Sequence, residues 1–234
     1  MENKKYIIIG GSSGIGLSLI NLITAEGHHV YHFARNRGTW ENESQIQHTT
    51  LDILSDELPD THGIEHANGL VYCPGTIELK SFHQLSDENF RNEFEINVVG
   101  AIKLIRHFLK ALKKSRSASI VLFSTVAVGQ GMPFHAGIST AKGAIEGLTR
   151  SLAAEFAPSI RVNAIAPSLT ETRLAEKFLG SDERREAAGK RHPLGRIGRA
   201  IDIASMASFL LSERSDWITG QILHVDGGLS ALRK

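Results

Sequence analysis

The chain has one cysteine, Cys73, in 234 residues, so no intrachain disulfide can form and the composition is that of a reducing compartment. It has no excess of either charge: 26 Lys and Arg stand against 25 Asp and Glu. Neither nucleic acid nor a membrane surface is therefore expected as a partner. It also lacks a long apolar run. Residues 1–5 lead directly into an apolar strand of a few residues, too short for a signal segment or a membrane span. There are no internal repeats or low-complexity tracts, no metal is expected, and the expected location is cytoplasmic.

What is present is alternation, in a length that suits one α/β domain spanning 1–234. Tyr6–Ile9 is a β-branched run, and Ile15, Leu19, Leu22 and Ile23 then recur at helical spacing up to Glu26. Strands are expected at Val30–Ala34, His48–Ile53, Gly69–Cys73, Ser119–Phe123, Ile160–Ile165 and Gln221–Val225. Helices are expected at Asp87–Lys113, Phe134–Phe156 and Arg199–Leu211. The connection 54–68 contains Pro59 and Gly63, so its helix should be short or irregular. Pro167–Pro193 reads as a mobile, charged insertion. The pattern predicts a doubly wound, Rossmann-type parallel sheet with helices on both faces and ligands beyond the carboxyl ends of its strands.

The first turn, Gly10-Gly11-Ser12-Ser13-Gly14-Ile15-Gly16, follows a strand and opens a helix. Glycines there let the backbone approach a diphosphate, and the helix N-terminus offers unpaired N–H groups to its charge. Gly10, Gly14 and Gly16 suit that role. Their spacing resembles the short-chain dehydrogenase/reductase family. So do Asn97 in Ile96–Gly100, Arg161–Pro167, Pro193–Gly198, and Ile218–Gly228, in the expected order along the whole chain.

The resemblance implies a nicotinamide dinucleotide held by Gly10, Ser12, Ser13, Gly14, Ile15, Gly16, Asp52, Gly75, Lys142, Pro167 and Thr172. Relatives that use NAD usually carry an acid after the second strand. Here the pair is Ala34-Arg35, and an arginine can clamp a 2′-phosphate, so NADP is expected, with NAD possible.

The resemblance also implies a carbonyl reduction in which a tyrosine protonates the oxygen and a lysine one helical turn later lowers its pKa. A hydroxyl polarises the carbonyl and an asparagine supports a water relay. Lys142, Thr125 and Asn97 match the last three. The tyrosine position is Ile138, which shares a helix face with Lys142 and has no proton to give. Losing a positioned acid costs on the order of 10²- to 10⁴-fold. His135, seven residues before Lys142, stands where the enoyl-reductase branch of the family places its tyrosine, and imidazole is a competent acid. Thr125 could serve as donor to an oxyanion. Ser139 points to another helix face.

Further departures are Cys73, where asparagine is usual and a small buried filler is expected, and Ser168, where glycine is usual. Residues 168–195 are expected to form a lid, with Leu174, Phe178 and Leu179 on its apolar face. The run Lys190-Arg191-His192 suits an anionic substrate or a solvated surface. The expected function is an NADP(H)-preferring oxidoreductase acting on a carbonyl, hydroxyl or activated C=C of a small molecule with a non-standard proton donor. The alternative is a catalytically impaired dinucleotide-binding protein. A homodimer or homotetramer is expected, paired through the second faces of the long helices, with Phe108, Ile145 and Leu148 exposed on them.

Overall fold

The computed structural model describes residues 3–55, 57–58 and 63–233. Its first strand, β1 (Lys5–Ile9), buries Tyr6, Ile7, Ile8 and Ile9 on both faces, as the centre of a parallel sheet requires. It pairs on one side with β2 (His29–Ala34) and on the other with β4 (Gly69–Tyr72). With β3 (Ile46–Thr50), β5 (Ala118–Phe123), β6 (Ile160–Pro167) and β9 (Ile222–Val225), these make a seven-stranded sheet in the order β3-β2-β1-β4-β5-β6-β9, parallel throughout. Two-residue strands β7 (Thr170–Glu171) and β8 (Gly198–Arg199) pair separately.

On one face lie α1 (Gly14–Ala25) and α7 (Ala200–Leu211), packing Leu19, Ile20, Ile23, Ile203 and Leu210 onto the sheet. On the other lie α3 (Gly100–Lys113) and α5 (Ala136–Phe156), with Leu104, Phe108, Leu112, Ala141 and Ile145. Phe108 and Ile145 are fully buried in this core, and partly buried Leu148 packs against it. This corrects the expectation that Phe108 and Ile145 lie exposed on a pairing face, because the apolar stripes that carry them are spent on the sheet.

Several boundaries also differ. β3 starts and ends earlier than expected: pairing with β2 runs from Val30↔Ile46 to Ala34↔Thr50, and Asp52 Oδ1 then accepts from Leu54 N at 3.1 Å, turning the chain. The stretch 87–113 is continuous but wound in three parts, α2 (Asp87–Phe94), a π turn at Glu95–Val99, and α3. α5 starts at Ala136, after Phe134 takes φ 69° and His135 caps the end. No residue of the connection 54–68 is helical among those described; Pro59 lies outside them. The charged stretch after Pro167 is structured, with a 3-10 turn at Arg173–Phe178 and helix α6 (Asp182–Arg191), begun where Ser181 Oγ accepts from Arg184 N at 3.3 Å. The last short helix, α4 (Val126–Gln130), follows β5.

The strand order reverses between β1 and β4. The segments leaving those two strands therefore diverge and open a crevice at their carboxyl ends, into which 10–16 and 73–76 turn. No helix among the described residues is long and apolar enough to cross a membrane.

Candidate active site

Two adjoining cavities fill this crevice, and Ile15, Cys73, Gly75, Thr76, Thr172 and Leu174 line both. The first, about 540 Å³, holds Gly10, Ser12, Ser13, Gly14, Gly16, Arg35 and Asp52 in its wall. Here the glycines are sterically required. A Cβ on Gly16 would stand 2.5 Å from the Gly10 carbonyl oxygen, so α1 could not close onto the turn. Gly10 and Gly14 have φ of 80° and 58°, conformations that favour glycine. Ser13 caps α1 without a side-chain hydrogen bond and the first turn has no acid, so the amides there are open to a phosphate. Arg35 and Arg173 line the same cavity and neither has an acidic partner among the described residues. An open amide-lined cradle with two uncommitted guanidiniums fits a dinucleotide.

The turn is also braced from below. His32 is fully buried, and its Nε2 accepts from Gly11 N at 2.9 Å. Trp40 Nε1 donates to the Gly11 carbonyl at 3.3 Å. Gly11 thus faces the scaffold with both its backbone groups.

The second cavity, about 550 Å³, brings together Asn97, Thr125, His135, Ile138, Lys142 and Pro167, supplied by five separate elements or loops. Asn97 stands in the π turn. Its Nδ2 donates to the Glu93 carbonyl at 2.8 Å and to Thr76 Oγ1 at 3.3 Å, while its buried Oδ1 has no partner. A Cβ on Gly75 would come within 3.0 Å of that oxygen. Thr125 Oγ1 accepts from Ala127 N at 3.3 Å, which leaves its hydroxyl proton for another acceptor. Burial lowers the Lys142 ammonium to about 8, against the opposing pull of Cys73 and Glu93. Ile138 is buried and lines the cavity. Ser139 turns away and donates to the Ala127 carbonyl at 3.2 Å.

His135 lies within 2.7 Å of the Pro133 carbonyl through Nδ1. A carbonyl only accepts, so Nδ1 carries the proton and Nε2 is the ring nitrogen left for a ligand. Burial pushes the Cys73 thiol up to about 12, so it is a neutral thiol that fills space between the cavities.

Several contributors were not foreseen in the sequence. Glu93 is buried with Oε2 unpartnered against Gly137, and desolvation raises its carboxyl. Nothing in residues 87–94 singles it out from the other acids there. Ser168 and His192, both singled out in the sequence, prove to be partners: Ser168 Oγ donates to His192 Nε2 at 2.8 Å, with His192 Nδ1 bound to the Ala188 carbonyl at 2.8 Å, tying the end of β6 to the end of α6. Arg173 and Arg184, which line the first and second cavities, carry no sequence signal that sets them apart from the other arginines of the stretch. No group of three or more His, Cys, Asp or Glu able to hold a metal occurs among the described residues.

Comparison with known proteins agrees with this geometry. The family described as Enoyl-(Acyl carrier protein) reductase matches residues 10–230. The 2-(S)-hydroxypropyl-CoM dehydrogenase 3 of Xanthobacter autotrophicus is 30% identical, across 99% of this chain and 98% of its own. The Inactive 2-(S)-hydroxypropyl-CoM dehydrogenase 2 of the same organism is 36% identical over 70% of this chain and 74% of its own. The ligand-free aldohexose dehydrogenase of Thermoplasma acidophilum superposes with a TM-score of 0.89 at 29% identity, covering 99% of this chain and 96% of that one. With its parallel sheet, glycine cradle and residue order, the chain belongs to the short-chain dehydrogenase/reductase family of NAD(P)-dependent oxidoreductases.

Proposed function

We propose that the protein is an NADP(H)-preferring oxidoreductase that reduces the carbonyl of a small molecule, or oxidises the corresponding alcohol, with His135 in place of the missing phenol. The observation that carries this reading is the convergence of His135, Lys142, Thr125 and Asn97 on one cavity whose tyrosine position holds Ile138. The bound cofactor supplies the hydride chemistry.

The chain's own residues do the rest. The cradle amides and Lys142 hold the dinucleotide, and Arg35 and Arg173 offer their guanidiniums to a 2′-phosphate, where an acid would repel it. Thr125 donates a hydrogen bond to the substrate oxygen. With Nδ1–H engaged by Pro133, His135 gives up a proton from Nε2 only as the imidazolium, so reduction by this route needs the charged ring. Residues 168–195 form the lid: Leu174, Ala175 and Phe178 present an apolar wall to the cavity.

A second reading is a dinucleotide-binding protein that has lost turnover. It is favoured by the buried fit of Ile138 at the proton-donor position and by a relative named as inactive. Stopped-flow mixing of the NADPH complex with a panel of ketones separates the two. Hydride loss from NADPH that depends on His135 supports the enzyme, and tight NADPH binding without oxidation supports the second reading.

A further inference from the structure

The second cavity has an unusual charge balance. Lys142, Arg184 and Arg191 line it together with His135 and His192, and no Asp or Glu is among the described residues of its wall. Acids and bases are nearly equal in the whole chain, so a wall with one sign of charge is a local arrangement. Most of the remainder is apolar, including Ile77, Val126, Met132, Leu169 and Phe178.

Helix α6 explains the arrangement. Arg184, Ala187, Ala188 and Arg191 follow one another at spacings of three, one and three, which puts all four on one helix face, and all four line the cavity. The two guanidiniums are separated by seven residues, about 10 Å along the axis, with small side chains between them that leave room. Two of the helix's three acids, Glu183 and Glu186, are engaged on the helix itself. Glu186 pairs with Lys190 at 2.6 Å, Arg185 pairs with Glu171, and Glu183 accepts from Ser181. Arg184 and Arg191 have no acidic partner among the described residues.

The run Lys190-Arg191-His192 is likewise divided by the fold. Lys190 turns to Glu186 and His192 is buried against Ser168 and Ala188, so Arg191 is the member left facing the cavity as a cation.

We infer that the substrate is an amphipathic anion: a carbonyl or alcohol at the Thr125–Lys142 end, an apolar chain along the lid wall, and a terminal oxyanion held by Arg184 and Arg191. The inference rests on the oxidoreductase reading for the position of the carbonyl, while the anion contact stands on α6 alone. Guanidinium forks match the paired oxygens of a carboxylate, and a terminal phosphate or sulfonate offers the same oxygens.

The test compares 9-oxodecanoate with its methyl ester, which differ in one charge, by calorimetric titration into the NADP-saturated protein. With oxidised cofactor no turnover interferes. The acid should bind roughly tenfold more tightly than the ester, and the difference should shrink as salt rises. Arg184→Gln and Arg191→Gln should each reduce the discrimination and the double variant should abolish it, with NADP affinity unchanged. Both arginines are exposed at the surface of the helix, so folding is retained, and Lys190→Gln serves as a charge-matched control that keeps the discrimination. Decyl phosphate and decanesulfonate, titrated beside decanol, report which oxyanion is preferred. Equal binding of acid and ester, or discrimination that survives in the double variant, overturns the inference. If NADP itself does not bind, the cofactor assignment fails, and the same acid and ester comparison without cofactor still decides the anion site.

Discussion

The rings of His32 and His48 meet through their Nδ1 atoms at 3.0 Å. His32 Nε2 accepts from Gly11 N, so neutral His32 carries its proton on Nδ1 and donates it to His48. Protonating His32 would put a proton where Gly11 N–H must point, and protonating His48 would set two N–H groups against each other. The pair is therefore compatible only with two neutral rings. Burial lowers both rings, His32 from 6.5 to about 4 with help from His48, and Arg37 adds to the lowering of His48. A folded pKa below the unfolded one means that stability is full above about 6.5 and is lost as pH falls toward about 4. The loss expected from His32 is on the order of 3 kcal/mol. Urea unfolding at pH 7 and pH 4.5 checks this, beside His32→Gln, whose amide oxygen accepts from Gly11 without titrating. An equal acid loss in the variant would rule the imidazole out.

Replacing Arg35 with Ala should weaken NADP(H) binding by about tenfold or more, the worth of a charge-assisted hydrogen bond, with a much smaller effect on NAD(H). Fluorescence titration with both reduced cofactors measures the ratio. Tighter binding of NADH to the unmodified protein would contradict the assignment.

At Ile138 the expected outcome is a gain. Ile138→Tyr restores a phenol one turn from Lys142 and should raise activity on simple ketones that the unmodified protein handles poorly. His135→Ala should remove the unmodified protein's own turnover while leaving NADP(H) affinity intact. Unchanged turnover in His135→Ala would take histidine out of the mechanism.

Gly16→Ala places a Cβ 2.5 Å from the Gly10 carbonyl oxygen and 2.9 Å from Gly11 Cα, both backbone. Backbone cannot swing aside as a side chain can, so β1 and α1 must separate, at a cost of about 1–3 kcal/mol. Dinucleotide binding should fall with it. Thermal unfolding with and without NADP reports both effects, and a variant with normal ligand-induced stabilisation would show that the cradle tolerates the shift.

The alternation of apolar runs and turns was enough to read the parallel sheet, because parallel strands buried on both faces must be continuous and their crossovers must be helical. The glycine spacing was enough to mark the tight strand-to-helix turn, since only a residue without Cβ fits at Gly16, and the isoleucine at position 138 was legible without a structure. Tertiary structure decided the rest. It turned Phe108 and Ile145 inward, because a helix's apolar stripe serves whichever surface lies closest, and periodicity does not name that surface. It set Glu93 against Gly137, and His32 beneath Gly11, pairs distant in sequence whose chemistry exists only across space. It also sorted Lys190, Arg191 and His192 into an ion pair, a cavity cation and a buried bond to Ser168. Three consecutive residues on a helix end point in three directions, and their partners come from elsewhere in the chain.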